Sequence, residues 1–288
     1  DDGYVSTFTV RASDQVAPTI SAVTLAADNS TITVTLDEAV FNSDAGSGAL
    51  EVGDFSLSIS GGTATLSSAT PTSISASGNI YTLGIGFSAT PDGSEVLTAV
   101  PVDNGIYDAA GNEANTTQSN NTVTLNDQLA ATISSVALAS NNATIAVTFT
   151  EAVYTTTGAS TALIVEDFAL SISGGTDTLS SATPTSISAS GNVYTLGIGL
   201  SSGTPNGSEV LTVKPVDNSS IYDAVGNASS TTQSNNTATL NDKAVPIISG
   251  VSLALDNSTI AVTFNEAVYN TNGSSGSLDS SDSTLSII

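Results

Sequence analysis

The residues best suited to chemistry in this chain are carboxylates that recur between predicted β-strands. Glu38 follows one apolar alternating run, Asp54 precedes the next, and an acidic loop further on carries Asp103 and Asp108. Asp14 stands just before the first run. Calcium binds six to eight hard oxygen ligands at about 2.3–2.6 Å, so carboxylates brought to one end of a domain would suit it. The alternative is that they are solvated charges that keep the protein soluble. The candidate ligands are Asp14, Glu38, Asp54, Asp103 and Asp108, and then Asp127, Glu151, Asp167, Asp217 and Asp223.

The composition excludes most other chemistry. The chain has no Cys, His, Met or Trp, so it lacks thiol nucleophiles, His-assisted Ser nucleophiles and Cys or imidazole metal ligands. Asp37-Glu38 is a possible catalytic carboxylate pair, but Thr150 and Asn265 replace the first member in the later copies. We therefore predict that the protein is not an enzyme.

The charge balance excludes further partners. Only 3 residues are Lys or Arg against 27 Asp or Glu, which gives a net charge of −24 in 288 residues. A nucleic-acid backbone needs many basic contacts, and no apolar run approaches the length that spans a bilayer. We expect no nucleic acid and no membrane insertion. Ten N-x-S/T sequons make attached glycans possible, although the abundance of Asn, Ser and Thr explains most of them.

An internal repeat organises the chain. Residues 54–86 and 167–199 differ at only three of 33 positions, namely Ser56/Ala169, Ala64/Asp177 and Ile80/Val193. One-residue insertions around Gly203 and Ser219 follow in the second copy. A third copy starts near Ile248. We predict the last strand of a preceding repeat plus a linker at 1–16, whole repeats at 17–130 and 131–244, and the front of another repeat at 245–288.

Each repeat has the pattern of an all-β domain. Ile32, Val34 and Leu36 alternate with Thr, which indicates a strand with one buried face. We predict strands near 20–25, 31–36, 54–59, 72–76, 80–86, 95–101 and 121–125. Seven short strands in this length indicate tandem immunoglobulin-like β-sandwich domains. In that topology, the segment carrying Asp14 and the loops carrying the other carboxylates meet at one end of the sandwich.

Four motifs resemble a known family. They read P-x-I-S-x-V-x-L at Pro18–Leu25, T-I-x-V-T-x-x-E-A-V at Thr31–Val40, I-Y-D-A-x-G-N at Ile106–Asn112 and N-T-x-T-L-N-D at Asn121–Asp127. They resemble the tandem bacterial immunoglobulin-like repeats of very long surface proteins, common in marine bacteria. The resemblance implies an extracellular or cell-surface setting, a structural role and calcium between domains.

Three functions therefore stand at this stage. The first is a structural array, either the stalk of a surface adhesin or the body of an extracellular filament or sheath. The second is a ligand-binding module for carbohydrate or ice, suggested by the Thr rows on the second strand. The third is a spacer attached to a secreted enzyme. Since residues 245–288 carry only the front of a repeat, we expect neighbouring copies of the protein or the rest of a longer chain to cover them.

Overall fold

A computed structural model describes residues 14–286. The chain divides into two compact units, one ending at Ala130 and the other beginning at Ala131. The strand predicted in residues 1–13 lies outside the described residues. No helix in the described part of the chain is long and apolar enough to cross a membrane.

The described part of the first unit contains seven strands in two antiparallel sheets. The strands are β1 (Ile20–Leu25), β2 (Thr31–Leu36), β3 (Phe55–Ser60), β4 (Ile74–Ser77), β5 (Ile80–Gly84), β6 (Val96–Pro101) and β7 (Thr122–Thr124). One sheet has the order β1-β2-β5-β4 and the other β3-β6-β7. This is the strand order of seven-stranded immunoglobulin constant-type sandwiches. The prediction of β-sandwich domains is confirmed.

The core of the first unit lies between the two sheets, where alternate side chains of the strands meet. Ile32 and Val34 of β2 are fully buried, as are Leu83 of β5 and Leu97 of β6. Burying one such side chain stabilises the fold by about 1.5–3 kcal/mol. The alternation read from the sequence therefore identifies the buried face of each main strand.

The second unit repeats this sandwich. Its strands are β8 (Ile133–Leu138), β9 (Thr144–Phe149), β10 (Phe168–Ser173), β11 (Ile187–Ser190), β12 (Val193–Gly197), β13 (Val210–Pro215) and β14 (Thr237–Thr239). The sheets have the orders β11-β12-β9-β8 and β10-β13-β14. The ring of Tyr194 packs edge-on against Phe149, with centroids 5.8 Å apart.

The second unit ends in one further hairpin. Strands β15 (Ile248–Leu253) and β16 (Ile260–Phe264) pair antiparallel and form a two-stranded sheet. Their register, including an irregularity near the start of β15, is that of β8 with β9. The third copy detected in the sequence thus folds locally like the first two.

Candidate cation site

Three carboxylates meet at one end of the first sandwich. One oxygen from each of Asp14, Glu38 and Asp108 lies within 4.8 Å of the others. Asp14 belongs to the segment before β1, Glu38 follows β2, and Asp108 lies in the connection from β6 to β7. The topology therefore brings together oxygens from three separate parts of the chain, as the sequence suggested.

Asp108 is fixed in place by its own loop. Its side chain is buried, and Oδ1 accepts the backbone N–H groups of Ala110 and Asn112, both at 2.8 Å. Oδ2 accepts the Asn112 side-chain amide at 2.6 Å. Burial alone would raise the pKa of Asp108, but hydrogen bonds from Asn112, Ala110 and Gly111 hold that pKa below its ordinary value. Asp108 therefore presents a preoriented carboxylate.

The surroundings of Glu38 shift its pKa upward, in the opposite direction to the pKa of Asp108. Partial burial raises its pKa, and the negative charges of Asp108 and Asp14 raise it further. A raised carboxyl pKa means that the folded protein disfavours the charged form. A cation among the three groups would reverse this effect, because it attracts each carboxylate.

Asp14 is held by a turn in its own segment. Oδ1 of Asp14 accepts the N–H of Val16 at 3.0 Å, and the Asn112 side chain donates to the carbonyl of Val16 at 3.4 Å. Asn112 thus contacts both Asp108 and the segment that carries Asp14. Three hard oxygen donors on adjoining segments fit a divalent cation such as calcium.

The second unit repeats part of this arrangement. Carboxylate oxygens of Glu151 and Asp223 lie within 4.8 Å of each other. Oδ1 of Asp223 accepts the N–H groups of Gly226 and Asn227 at 2.7 and 2.8 Å. Asp127, the sequence counterpart of Asp14, lies near the end of the first unit and accepts the N–H of Leu129 at 2.8 Å.

Four other predicted ligands take part in different contacts. The Oδ2 atoms of Asp54 and Asp167 accept the N–H groups of Glu51 and Ile164, at 2.7 and 2.8 Å. Each bond closes a single 3-10 turn, Val52–Asp54 or Val165–Asp167, just before a strand. Asp103 accepts the side chain of Asn104, and Asp217 accepts the N–H of Ser219.

Two buried glutamates were not predicted from the sequence. Glu95 and Glu209 are fully buried at equivalent positions. Oε1 of Glu209 accepts the N–H groups of Thr176 at 2.7 Å and Asp177 at 3.0 Å. The sequence signal is the recurring Gly-Ser-Glu that precedes β6 and β13. These carboxylates hold loops in place within each unit.

Asp177 is a difference between the two repeats, since Ala64 stands in its place in the first. Its Oδ1 accepts the N–H of Ser202 at 3.0 Å, in the loop that carries the insertion around Gly203. Its Oδ2 is buried and has no hydrogen-bond partner among the described residues. The Asp177 side chain, which differs between the repeats, therefore contacts the loop that carries the insertion.

Two of the ten sequon asparagines are structural. Asn29 and Asn142 are buried, and their side chains donate at 2.7 Å to the carbonyls of Asn126 and Asn241. A glycan on either buried nitrogen would not fit the folded protein, so any glycans on the folded protein belong to the other sequons.

No protein-family model matches the chain, and no curated protein matches it. A solved structure with some likeness is the N-terminal part of the bacterial S-layer protein SbsC, at 18% identity and a TM-score of 0.31. The match covers 79% of this chain and 45% of that one.

Proposed function

We propose that this protein is a non-catalytic structural array of immunoglobulin-like repeats at the cell surface or outside the cell. It forms the stalk of an adhesin or the body of a filament or sheath. Two copies of one sandwich with nearly identical strands support this role, because repetition extends a structure without adding new chemistry. Electron microscopy of the native material separates the two forms: regular lattice contacts indicate a filament or sheath, and isolated strings indicate a stalk.

We further propose that calcium binds where Asp14, Glu38 and Asp108 meet. The observation that carries this proposal is the approach of three carboxylate oxygens within 4.8 Å. Like charges at such distances repel each other by roughly 1–4 kcal/mol per pair at effective dielectrics between 80 and 20. The raised pKa of Glu38 has the same origin in part. A bound calcium ion converts this repulsion into attraction.

The proposed calcium site has a mechanical consequence. Asp14 lies in the segment that leads into the sandwich, whereas Glu38 and Asp108 belong to the sandwich itself. An ion shared by all three therefore restricts the movement of that segment. Glu151 and Asp223 are the corresponding pair in the second unit. Repeated along an array, such sites stiffen it.

Calorimetric titration of the whole chain with calcium tests this proposal. We expect binding at or below about millimolar calcium, as in extracellular calcium modules. Glu38→Gln removes one charged ligand and should weaken binding at the first site at least about tenfold. Glu51→Gln is the matched control, since it alters an exposed glutamate outside the group.

X-ray scattering measures the mechanical effect in the same samples. The wild-type chain should change its maximum dimension or its flexibility when calcium is chelated, and Glu38→Gln should change less. Absence of binding at millimolar calcium, together with unchanged scattering on chelation, would identify the carboxylates as solvated charges and overturn the proposal.

A further inference from the structure

Asp177 carries a buried carboxylate oxygen that no protein group satisfies. The residue is only 2% exposed. Its Oδ1 accepts the N–H groups of Thr178 at 2.8 Å and Ser202 at 3.0 Å, whereas its Oδ2 has no hydrogen-bond partner among the described residues. A buried polar atom of this kind requires an explanation, such as an ordered water or a bound ion. The Oδ2 atom is therefore available to a ligand.

A second buried carboxylate lies next to Asp177. Glu209 is fully buried, and its Oε1 accepts the backbone N–H of Asp177 at 3.0 Å. Burial would raise the pKa of Asp177, but hydrogen bonds from Ser202, Thr178 and Gly203 hold that pKa below its ordinary value. The pKa of Glu209 is also below its ordinary value, because backbone hydrogen bonds outweigh the effect of burial. Both carboxylates therefore stay charged at neutral pH.

The two loops that hold these carboxylates contain no basic residue. The segments are 174–178, after β10, and 200–209, between β12 and β13, and neither includes Lys or Arg. Buried charges are normally paired or coordinate a metal, because removing them from water is costly. Two adjacent negative charges call for a positive one, and a divalent cation would balance both.

The first repeat has the same loops without the extra carboxylate. Ala64 stands in place of Asp177 and is also 2% exposed. Glu95 has the position of Glu209, and its Oε1 accepts the N–H groups of Thr63 and Ala64 at 3.0 and 2.8 Å. The buried glutamate alone therefore suffices to hold these loops. Asp177 adds a charged oxygen that the fold does not need.

The longer loop of the second repeat adds another oxygen beside Asp177. Residues 201–204 read Ser-Ser-Gly-Thr, whereas 88–90 in the first repeat read Ser-Ala-Thr. The N–H of Ser202 donates to Asp177, and the hydroxyl groups of Ser202 and Thr204 are 3.1 Å apart. Hard divalent cations prefer oxygen ligands of this kind and complete their coordination with water. The substitution and the insertion thus supply cation ligands together.

We propose that Oδ2 of Asp177 binds a hard divalent cation, such as calcium, with the hydroxyl of Ser202 as a further ligand. The ion offsets the charge of Asp177 and Glu209 and joins the loop after β10 to the loop after β12. Ala64 offers no side-chain oxygen, so the first unit cannot bind an ion in this way. This inference goes beyond the function proposed above, because it uses none of the carboxylates of the first site and holds whether or not that site binds calcium.

Hydrogen exchange of the whole chain, with and without calcium, tests the proposal. At about millimolar calcium, the amides of residues 200–206 should exchange at least about fivefold more slowly. The equivalent loop at 87–92 should not change, which separates binding from a general effect of salt. NaCl of equal ionic strength should slow neither loop. Equal slowing of both loops, equal slowing by NaCl, or no slowing would overturn the proposal; a water molecule at Oδ2 would give the last result.

Three variants assign the effect to Asp177. Asp177→Ala restores the residue of the first repeat, where a buried Ala64 is compatible with the fold, and should abolish the calcium protection of residues 200–206. Asp177→Asn keeps the size of the side chain and removes its charge, so it should weaken calcium binding at least about tenfold even if the Ala variant disturbs the loop. Glu151→Gln alters the other carboxylate group of the second unit and should leave this protection unchanged. Protection that persists in both Asp177 variants, or that is lost in Glu151→Gln, would contradict the proposal.

Discussion

Carboxylates lie in two kinds of surroundings in this acidic protein. Glu95 and Glu209 are fully buried and accept backbone N–H groups of the loops around them. Asp14 and Glu38 lie nearer the surface, beside another carboxylate. Asp108 belongs to both sets, because it is buried, accepts N–H groups of its own loop and also lies beside Asp14 and Glu38. Counting acidic residues in the sequence does not show how each carboxylate is held, whereas burial and hydrogen bonds do.

The buried Glu209 makes the stability of the second unit depend on pH. Burial would raise its pKa, but hydrogen bonds from Asp177, Thr176 and Asn206 hold that pKa below the ordinary glutamate value of 4.5. The folded state therefore binds the proton less readily than the unfolded state. The stabilisation is complete above about pH 4.5 and is lost as the pH falls through the lower, folded-state pKa.

Glu209→Gln should remove this pH dependence. We expect the variant to lose about 1–3 kcal/mol at pH 7, because an amide accepts fewer of these N–H bonds. Its stability should fall less steeply than that of the wild type below about pH 4.5. Hydrogen exchange in β13 measures the second unit by itself. Glu166→Gln, at an exposed position, is the control; equal slopes for Glu209→Gln and the wild type would count against the assignment.

At the scale of elements, an asparagine hydrogen-bonds the turn of the first hairpin to the segment just after the last strand of each sandwich. Asn29 has a φ of 59° in the turn between β1 and β2. Its Oδ1 accepts the N–H of Asn126 at 2.9 Å, and its amide donates to the Asn126 carbonyl at 2.7 Å. Asn142 and Asn241 repeat this arrangement. The tie joins parts of the chain that are far apart in sequence.

Two substitutions at Asn29 separate backbone from side-chain effects. Asn29→Gly keeps the positive φ but loses the three side-chain hydrogen bonds to Asn126, so we expect a loss of about 1–3 kcal/mol. Asn29→Ala should lose about 1–2 kcal/mol more, because the left-handed conformation strains a residue with a Cβ. Hydrogen exchange in β1 and β2 measures both. If Asn29→Gly leaves the stability unchanged, the hydrogen bonds between Asn29 and Asn126 contribute little to it.

Much of the element structure could be predicted from the sequence. The ranges predicted for β1 and β2 agree with the structure, because alternating apolar residues define their buried face. The strand predicted over 80–86 ends instead at Gly84. There the chain meets the loop before β4: Gly84 donates to the carbonyl of Ser73 at 2.9 Å. A Cβ on Gly84 would lie 2.5 Å from the Ser73 hydroxyl. The end of this strand depends on its contact with another loop, so the alternation of apolar residues within the strand could not predict it.

The carboxylate group was predictable in part. Topology alone places Asp14, Glu38 and Asp108 at one end of the sandwich, and the structure brings them together. Asp54 was assigned to the same end, yet its carboxylate instead caps the turn that begins at Glu51. The type of a residue and the loop that holds it do not fix the direction of its side chain. Local hydrogen bonds fix that direction, and they depend on loop conformation.

At the scale of the whole molecule, the excess of negative charge is the main electrostatic feature. The net charge of −24 comes from 27 acidic and 3 basic residues. Self-repulsion of this kind destabilises a compact state, and salt screens it. The protein should therefore be more stable in salt than in dilute buffer.

Thermal unfolding can separate general screening from specific binding. We expect the Tm to rise by a few degrees between roughly 10 mM and 0.5 M NaCl, since the Debye length shortens over that range. Calcium at about millimolar concentration should raise the Tm more than NaCl of equal ionic strength, because a bound ligand adds its own stabilisation. Equal effects of the two salts would indicate screening alone.

Strands β3 and β10 differ only at Ser56 and Ala169, so either strand fits either sandwich. Pairing with strands of the other repeat closes a longer loop than pairing within the same repeat. If that loop is roughly threefold longer, loop-closure entropy favours the partner in the same repeat by only ~1 kcal/mol. Order of synthesis discriminates more strongly, since the ribosome completes the first repeat before β10 exists and domains fold as units while the chain is made. Renaturation from denaturant removes this temporal order. Strand-exchanged species are therefore an expected product of refolding and not of biosynthesis.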